Sequence, residues 1–128
     1  MKRRKWFLGL MAVFMLGVTQ LQAQIKWMSM NEALAAQEQN PKKIFMDVYT
    51  DWCGPCKQLM PVLEKLANEY AGAFLLAKVN ADEQQMLASQ LGVRSLPTVM
   101  VIKDGQPIDG FAGAQPESVV REMLEKHL

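Results

Sequence analysis

Cys53 and Cys56 are the only two cysteines in a chain of 128 residues, and only Gly54 and Pro55 separate them. Closing so short a loop removes little unfolded-state entropy, so the pair is better suited to reactivity than to stapling a fold. A Cys-x-x-Cys at the start of a helix has a direct chemical meaning. The first turn carries unpaired N–H groups and a partial positive charge, and both favour a thiolate. Cys53 is therefore the expected nucleophile. Cys56, one turn on, is placed to attack a mixed disulfide formed on Cys53. Gly54 and Pro55 set the turn and are expected to leave the first sulfur uncovered. Two blander readings stay open at this point. The pair could be half of a zinc site, although four ligands are needed and His127, at the far end, is the one other candidate of that kind. It could also be a purely structural disulfide.

The surrounding pattern supplies the elements that must hold this pair. Lys43–Tyr49 reads as a largely apolar strand with Asp47 in its middle. From Cys53 to Tyr70, Leu59, Val62, Leu63, Leu66 and Tyr70 recur at three- and four-residue steps, which predicts a helix, with a kink at Pro61 and a stop at Gly72. Upstream, Ile25–Met28 reads as a short strand, and Ser29-Met30-Asn31-Glu32 has the capping-box pattern of a helix running to about Gln39. Downstream, Phe74–Asn80 reads as a strand, Asp82–Leu91 as a helix and Thr98–Ile102 as a strand. The Asp104-Gly105 turn joins it to an antiparallel partner, Gln106–Phe111, and Pro116 opens a last helix. The order β-α-β-α-β-α-β-β-α predicts an α/β domain with a mixed central sheet, parallel in part and closed by a C-terminal hairpin, and helices on both faces.

Charge is unevenly spread. Lys2, Arg3, Arg4 and Lys5 precede an apolar run, Trp6–Val18, of about 13 residues, and no acid occurs before Glu32. That run is short for a membrane span of ~20 residues but suits a secretory signal, with a polar stretch ending on Ala23. Residues 1–23 are read as a signal peptide and 24–128 as the domain, exported to the periplasm or cell envelope; an uncleaved N-terminal anchor is the alternative. Beyond residue 23, ten basic residues face thirteen acidic ones, so the domain offers no basic face for nucleic acid. Met28 and Met30 form a close pair among ten methionines and are read as core fillers. His127 and the charged residues of the last helix are read as solvated.

Four separated stretches resemble the thioredoxin family: Asp47-Val-Tyr-Thr-Asp-Trp-Cys-Gly-Pro-Cys-Lys57, Gly92-Val-Arg-Ser-Leu-Pro97-Thr98, Lys103-Asp-Gly105 and Phe111-Ala-Gly113. The resemblance covers essentially everything after the signal and implies the thioredoxin fold. It implies that Asp47 is a buried carboxylate able to take a proton from Cys56, and that Lys78 is its partner. It implies that Pro97 is cis and that the Leu96 backbone is free to pair with an extended substrate. Trp52, Gly54, Pro55, Leu96, Pro97 and Gly113 would form the substrate surface. Ser95, where many relatives have glycine, and Leu96, where isoleucine is common, depart from the family pattern on that surface.

The function this implies is reduction of protein disulfides through Cys53 and Cys56, with no cofactor or metal. Protein disulfides would be the substrates, a membrane electron carrier the donor, and the chain a monomer. Gly54-Pro55 between the sulfurs, with Asp47 and Lys78, favours the reducing direction. An exported oxidase or isomerase is the runner-up. A non-catalytic module using the same groove for assembly is a third reading, and the intact cysteine pair argues against it.

Overall fold

The computed structural model describes residues 25–70 and 72–128; the signal expected over residues 1–23 lies outside them. Nine elements follow in the expected order. These are β1 (Trp27–Met28), α1 (Met30–Gln39), β2 (Ile44–Tyr49), α2 (Gly54–Glu69), β3 (Leu75–Asn80), α3 (Gln85–Gln90), β4 (Thr98–Lys103), β5 (Gln106–Ala112) and α4 (Glu117–Lys126). The five strands form one sheet in the order β1-β3-β2-β4-β5. β3 runs parallel to both β1 and β2, whereas β4 is antiparallel to β2 and to β5.

Side chains alternate across each strand, so the sheet buries two separate layers. Phe45, Val99 and Val101 face one side, where Leu59, Leu63 and Leu66 of α2 and Val120, Met123 and Leu124 of α4 cover them. Ile44, Met46, Val48, Ala77, Val79 and Ile102 face the other, against Met30 and Ala33 of α1 and, at its margin, Leu87 of α3. Asp47 shares the parity of Phe45 and so belongs to the face that α2 covers.

Local chemistry sets the element ends. Glu32 N–H donates to Ser29 Oγ at 3.2 Å while Ser29 N–H donates to the Glu32 carboxylate at 2.9 Å, closing the capping box at the start of α1. Asp104 and Gly105 both take positive φ, 52° and 74°, the type I′ geometry that matches the twist of a two-residue hairpin. The buried Gln37 ties α1 to that hairpin, its amide donating to the Lys42 and Ile102 carbonyls at 2.9 and 3.2 Å.

Three expectations need correction. The third helix begins at Gln85, not Asp82, because Asn80 Oδ1 accepts from Asp82 N–H at 3.0 Å and Asn80 O accepts from Gln84 N–H at 2.9 Å. That Asx turn holds residues 81–84 out of the helix. The charged face of α4 is not simply solvated: Arg121 pairs with Glu69 of α2 and Glu117 of its own helix, and Lys65 reaches Glu117 at 3.0 Å. His127 is also engaged, with Nε2 2.8 Å from Asp109 of β5. That contact, with the Gly110 N–H and Lys126, holds the Asp109 carboxyl down at about 2.

Gly110 fixes how closely β5 lies on β4. A Cβ there would sit 2.6 Å from the Val99 carbonyl oxygen, a backbone atom that cannot swing away. Gly110→Ala is expected to destabilise the protein by about 1–3 kcal/mol, the usual range for overpacking. Urea unfolding would measure it, and an unchanged midpoint would contradict this account of the hairpin.

Candidate active site

The sheet topology gathers the expected site at one edge. β2 and β3 end there, β4 begins there, and β5 returns there, because Thr98 lies opposite both Val48 and Ala112. The Thr50–Cys56 turn, the loop after β3, the Leu96-Pro97 bond and Gly113 therefore share one rim.

Cys53 is the N-cap of α2. Its backbone is extended, and its sulfur accepts the Cys56 N–H at 3.2 Å, one of the donors that a helix start leaves unpaired. Cys53 N–H in turn donates to Thr50 O at 3.4 Å, which closes the turn out of β2. Pro55 falls in the first helical turn, where a missing N–H costs nothing. The two cysteines are joined as a disulfide, with Cα atoms 5.3 Å apart. The expectation that Cys53 is left uncovered is not met in this oxidised form: Cys53 is 5% exposed and Cys56 4%. The capping bond turns the first sulfur back over the helix start. What the rim shows to solvent is Gly54, Pro55 and Trp52, the last 71% exposed.

The Leu96–Pro97 peptide is cis, as the resemblance implied. Thr98 Oγ1 donates to Ser95 O at 2.6 Å, and Gly113, at a φ of 85°, donates its N–H to Pro97 O at 2.7 Å, so the loop is held from both sides. The Leu96 backbone forms no hydrogen bond to another backbone group among the described residues, which leaves it available to an extended peptide.

Asp47 is 2% exposed, and its Oδ1 has no hydrogen-bond partner among the described residues. Burial pushes its carboxyl from 3.8 up to about 6, with the positive charge of Lys78 opposing the rise. Lys78 lies directly opposite Asp47 on the neighbouring strand, so the two come together in register. They do not form an ion pair. The Lys78 ammonium instead lies 4.6 Å from the centre of the Trp27 ring and 6.0 Å from that of Tyr49.

Two residues of the site escaped the sequence reading. Asp82 accepts the Trp52 indole N–H at 2.7 Å and so orients the exposed ring, whereas its place in the sequence pattern suggests only a helix start. Trp27, on the two-residue strand β1, is brought beside Lys78 by the register of Trp27 with Leu76. Residue parity places both on one face, but the pairing of β1 with β3 is not visible in the chain itself.

A Cys-x-x-Cys disulfide at the first turn of a helix, sharing one rim of the sheet with a cis-proline loop, and a buried carboxylate on the sheet face that this helix covers define a thiol–disulfide oxidoreductase. The comparisons agree. The family model for thioredoxin matches residues 24–126. Thioredoxin 1 of Nostoc sp. is 44% identical over 85 residues, covering 66% of this chain and 79% of that protein. A thioredoxin of Staphylococcus aureus is 46% identical over 83 residues, covering 65% and 80%. Among solved structures, the thioredoxin of Fasciola hepatica aligns with a TM-score of 0.66 at 35% identity, covering 73% of this chain and 88% of that one. That of Nicotiana alata gives 0.71 at 26% identity, covering 87% and 98%. The chain belongs to the thioredoxin family, and it is a protein-disulfide reductase.

The buried carboxyl has a consequence for stability with a definite sign. Its folded value, about 6, lies above the ordinary 3.8, so folding is favoured by the proton. This contribution is most favourable below about pH 4, declines as pH rises to about 6, and stays low above that. Asp47→Asn removes the dependence. The variant should match the wild type near pH 3 and exceed it by about 3 kcal/mol above pH 7, as a shift of about two units implies. Denaturant unfolding at a series of pH values measures the difference; a gain independent of pH would contradict the assignment.

Proposed function

We propose that the chain is exported to the periplasm or envelope and works there as a monomer, reducing protein disulfides and being recharged by a membrane electron carrier. The observation that carries the reductive reading is Cys53-Gly54-Pro55-Cys56 at the start of α2, with the buried carboxyl of Asp47 on the sheet face that α2 covers. The Cys53 thiolate attacks one sulfur of a substrate disulfide, and the other leaves as a thiolate. The Cys56 sulfur then attacks Cys53 in the mixed disulfide, giving up its proton to Asp47 and releasing the second substrate sulfur. Two electrons pass to the substrate, and Cys53–Cys56 becomes the disulfide seen here. Two further electrons from the donor restore the dithiol. Leu96, Pro97, Gly113 and the exposed Trp52 form the surface on which an extended substrate segment would lie.

Export is supported by the basic start, the short apolar run and Ala23. N-terminal sequencing of the protein from an envelope fraction should begin at Gln24. An intact Met1 in the membrane would establish the anchor instead, and recovery in the cytosol alone would contradict export.

Direction is decided by potential. Equilibration of the full-length protein against glutathione should give a value nearer the roughly −270 mV of thioredoxin than the about −120 mV of strong exported oxidants. That gap corresponds to about 7 kcal/mol, large enough to separate the roles. A value above about −180 mV would assign the protein to the isomerases and oxidases.

A further inference from the structure

We infer that Trp27 is a positioning residue of the redox site, its indole face holding the Lys78 ammonium off the Asp47 carboxylate. Lys78 and Asp47 are direct neighbours on parallel strands, and both belong to the face that α2 covers. An ammonium on a flexible stem beside a buried carboxylate with a bare oxygen would ordinarily close on it. Here it does not: among the described residues, Asp47 Oδ1 has no partner and Lys78 makes no ion pair. The ammonium lies over Trp27 on one flanking strand and, at longer range, over Tyr49 on the other. The negative faces of two aromatic rings compete with the carboxylate for one cation. Trp27 is itself held, packed at 6.3 Å between centroids on Phe45, a residue that is fully buried.

Few other charges reach this point. β3 contributes Lys78, the strand of Asp47 itself contributes Tyr49, and α2 carries the cysteine pair over this face. β4 sets Val99 opposite Asp47, and α4 brings Val120, Met123 and Leu124, none of which ionises. Asp51 and Glu83 bear on Tyr49. Lys78 is thus the cation whose distance controls Asp47, and the aromatic clamp sets that distance. Closing the ion pair would favour the ionised carboxylate and weaken it as a base for the Cys56 proton. The catalytic value of Trp27 rests on the reading of Asp47 as that base; the holding of Lys78 does not.

The test follows the Asp47 carboxyl carbon by NMR titration in the full-length oxidised protein, with Trp27→Leu made alone and with Lys78→Gln. Freed of the ring, Lys78 should approach Asp47 and lower its midpoint by on the order of one pH unit, a tenfold change in acidity. In the Lys78→Gln background, Trp27→Leu should leave the midpoint where it is. Trp27→Phe, which keeps an aromatic face, should restore most of the wild-type value. Fluorinated tryptophan at position 27 keeps the shape while weakening the ring's attraction for cations. It should lower the midpoint by a smaller amount, and it serves if the leucine variant fails to fold. An unmoved midpoint in both the leucine and fluorinated proteins overturns the inference. So does an equal drop with and without Lys78, which would mean that water entry, not the ammonium, is responsible. The pH profile of mixed-disulfide resolution separates the two readings. A moved midpoint with an unmoved profile supports the holding of Lys78 and overturns Asp47 as the base.

Discussion

Asp47 puts a carboxyl in the centre of an apolar strand, 2% exposed, with one oxygen that no group bonds among the described residues. Most of the structure can be understood as what permits this. The carboxylate is costly to bury, and two well-packed layers of aliphatic and aromatic side chains are needed to carry that cost. In return the carboxyl keeps its proton to about 6, within reach of the pH range in which a thiol must be deprotonated. A base with an ordinary carboxylate affinity for protons would be a poor acceptor there, and an ion-paired one would be worse.

The two sulfurs receive unequal help from the fold. Cys53 caps α2 and takes the Cys56 N–H directly, so the helix start stabilises negative charge on it without any base. Cys56 lies inside the first turn and has no such donor among the described residues. In the proposed mechanism Asp47, six residues before Cys53 on β2 and on the sheet face that α2 covers, is the base that answers that asymmetry. The substrate side is arranged by different means. Gly113 and Thr98 pin the loop around Pro97, while Trp52, steadied by Asp82, stands out from the rim.

How much of this could be read in the chain depended on the range of the interactions involved. The capping box of Ser29 and Glu32, the Asp104-Gly105 hairpin and the helix begun by Cys53 are decided by residues within a few positions of one another, and each formed where expected. α3 starts later than its helical pattern suggests because one side chain, Asn80, captures a backbone N–H that the pattern assigns elsewhere. His127 looked solvated because its partner, Asp109, lies on a strand whose register is invisible in the sequence. Lys78 lies opposite Asp47 in register, yet its ammonium goes to an aromatic ring on β1, the shortest strand, rather than to the carboxylate that the resemblance makes its partner. The burial of Cys53 follows from the direction of its capping bond, which the Cys-x-x-Cys spacing does not specify.

The central claim is that Asp47 serves Cys56 and not Cys53. Stopped-flow measurement of attack on a disulfide substrate and of mixed-disulfide resolution, as separate steps across pH, tests it most directly. In Asp47→Asn the first step should be nearly unchanged. The second should slow by roughly 10²–10⁴-fold, the range for loss of a general base, and the deficit should shrink as pH rises and Cys56 ionises unaided. Slowing confined to the first step, or no change in either, would contradict the account and leave Asp47 a purely structural residue.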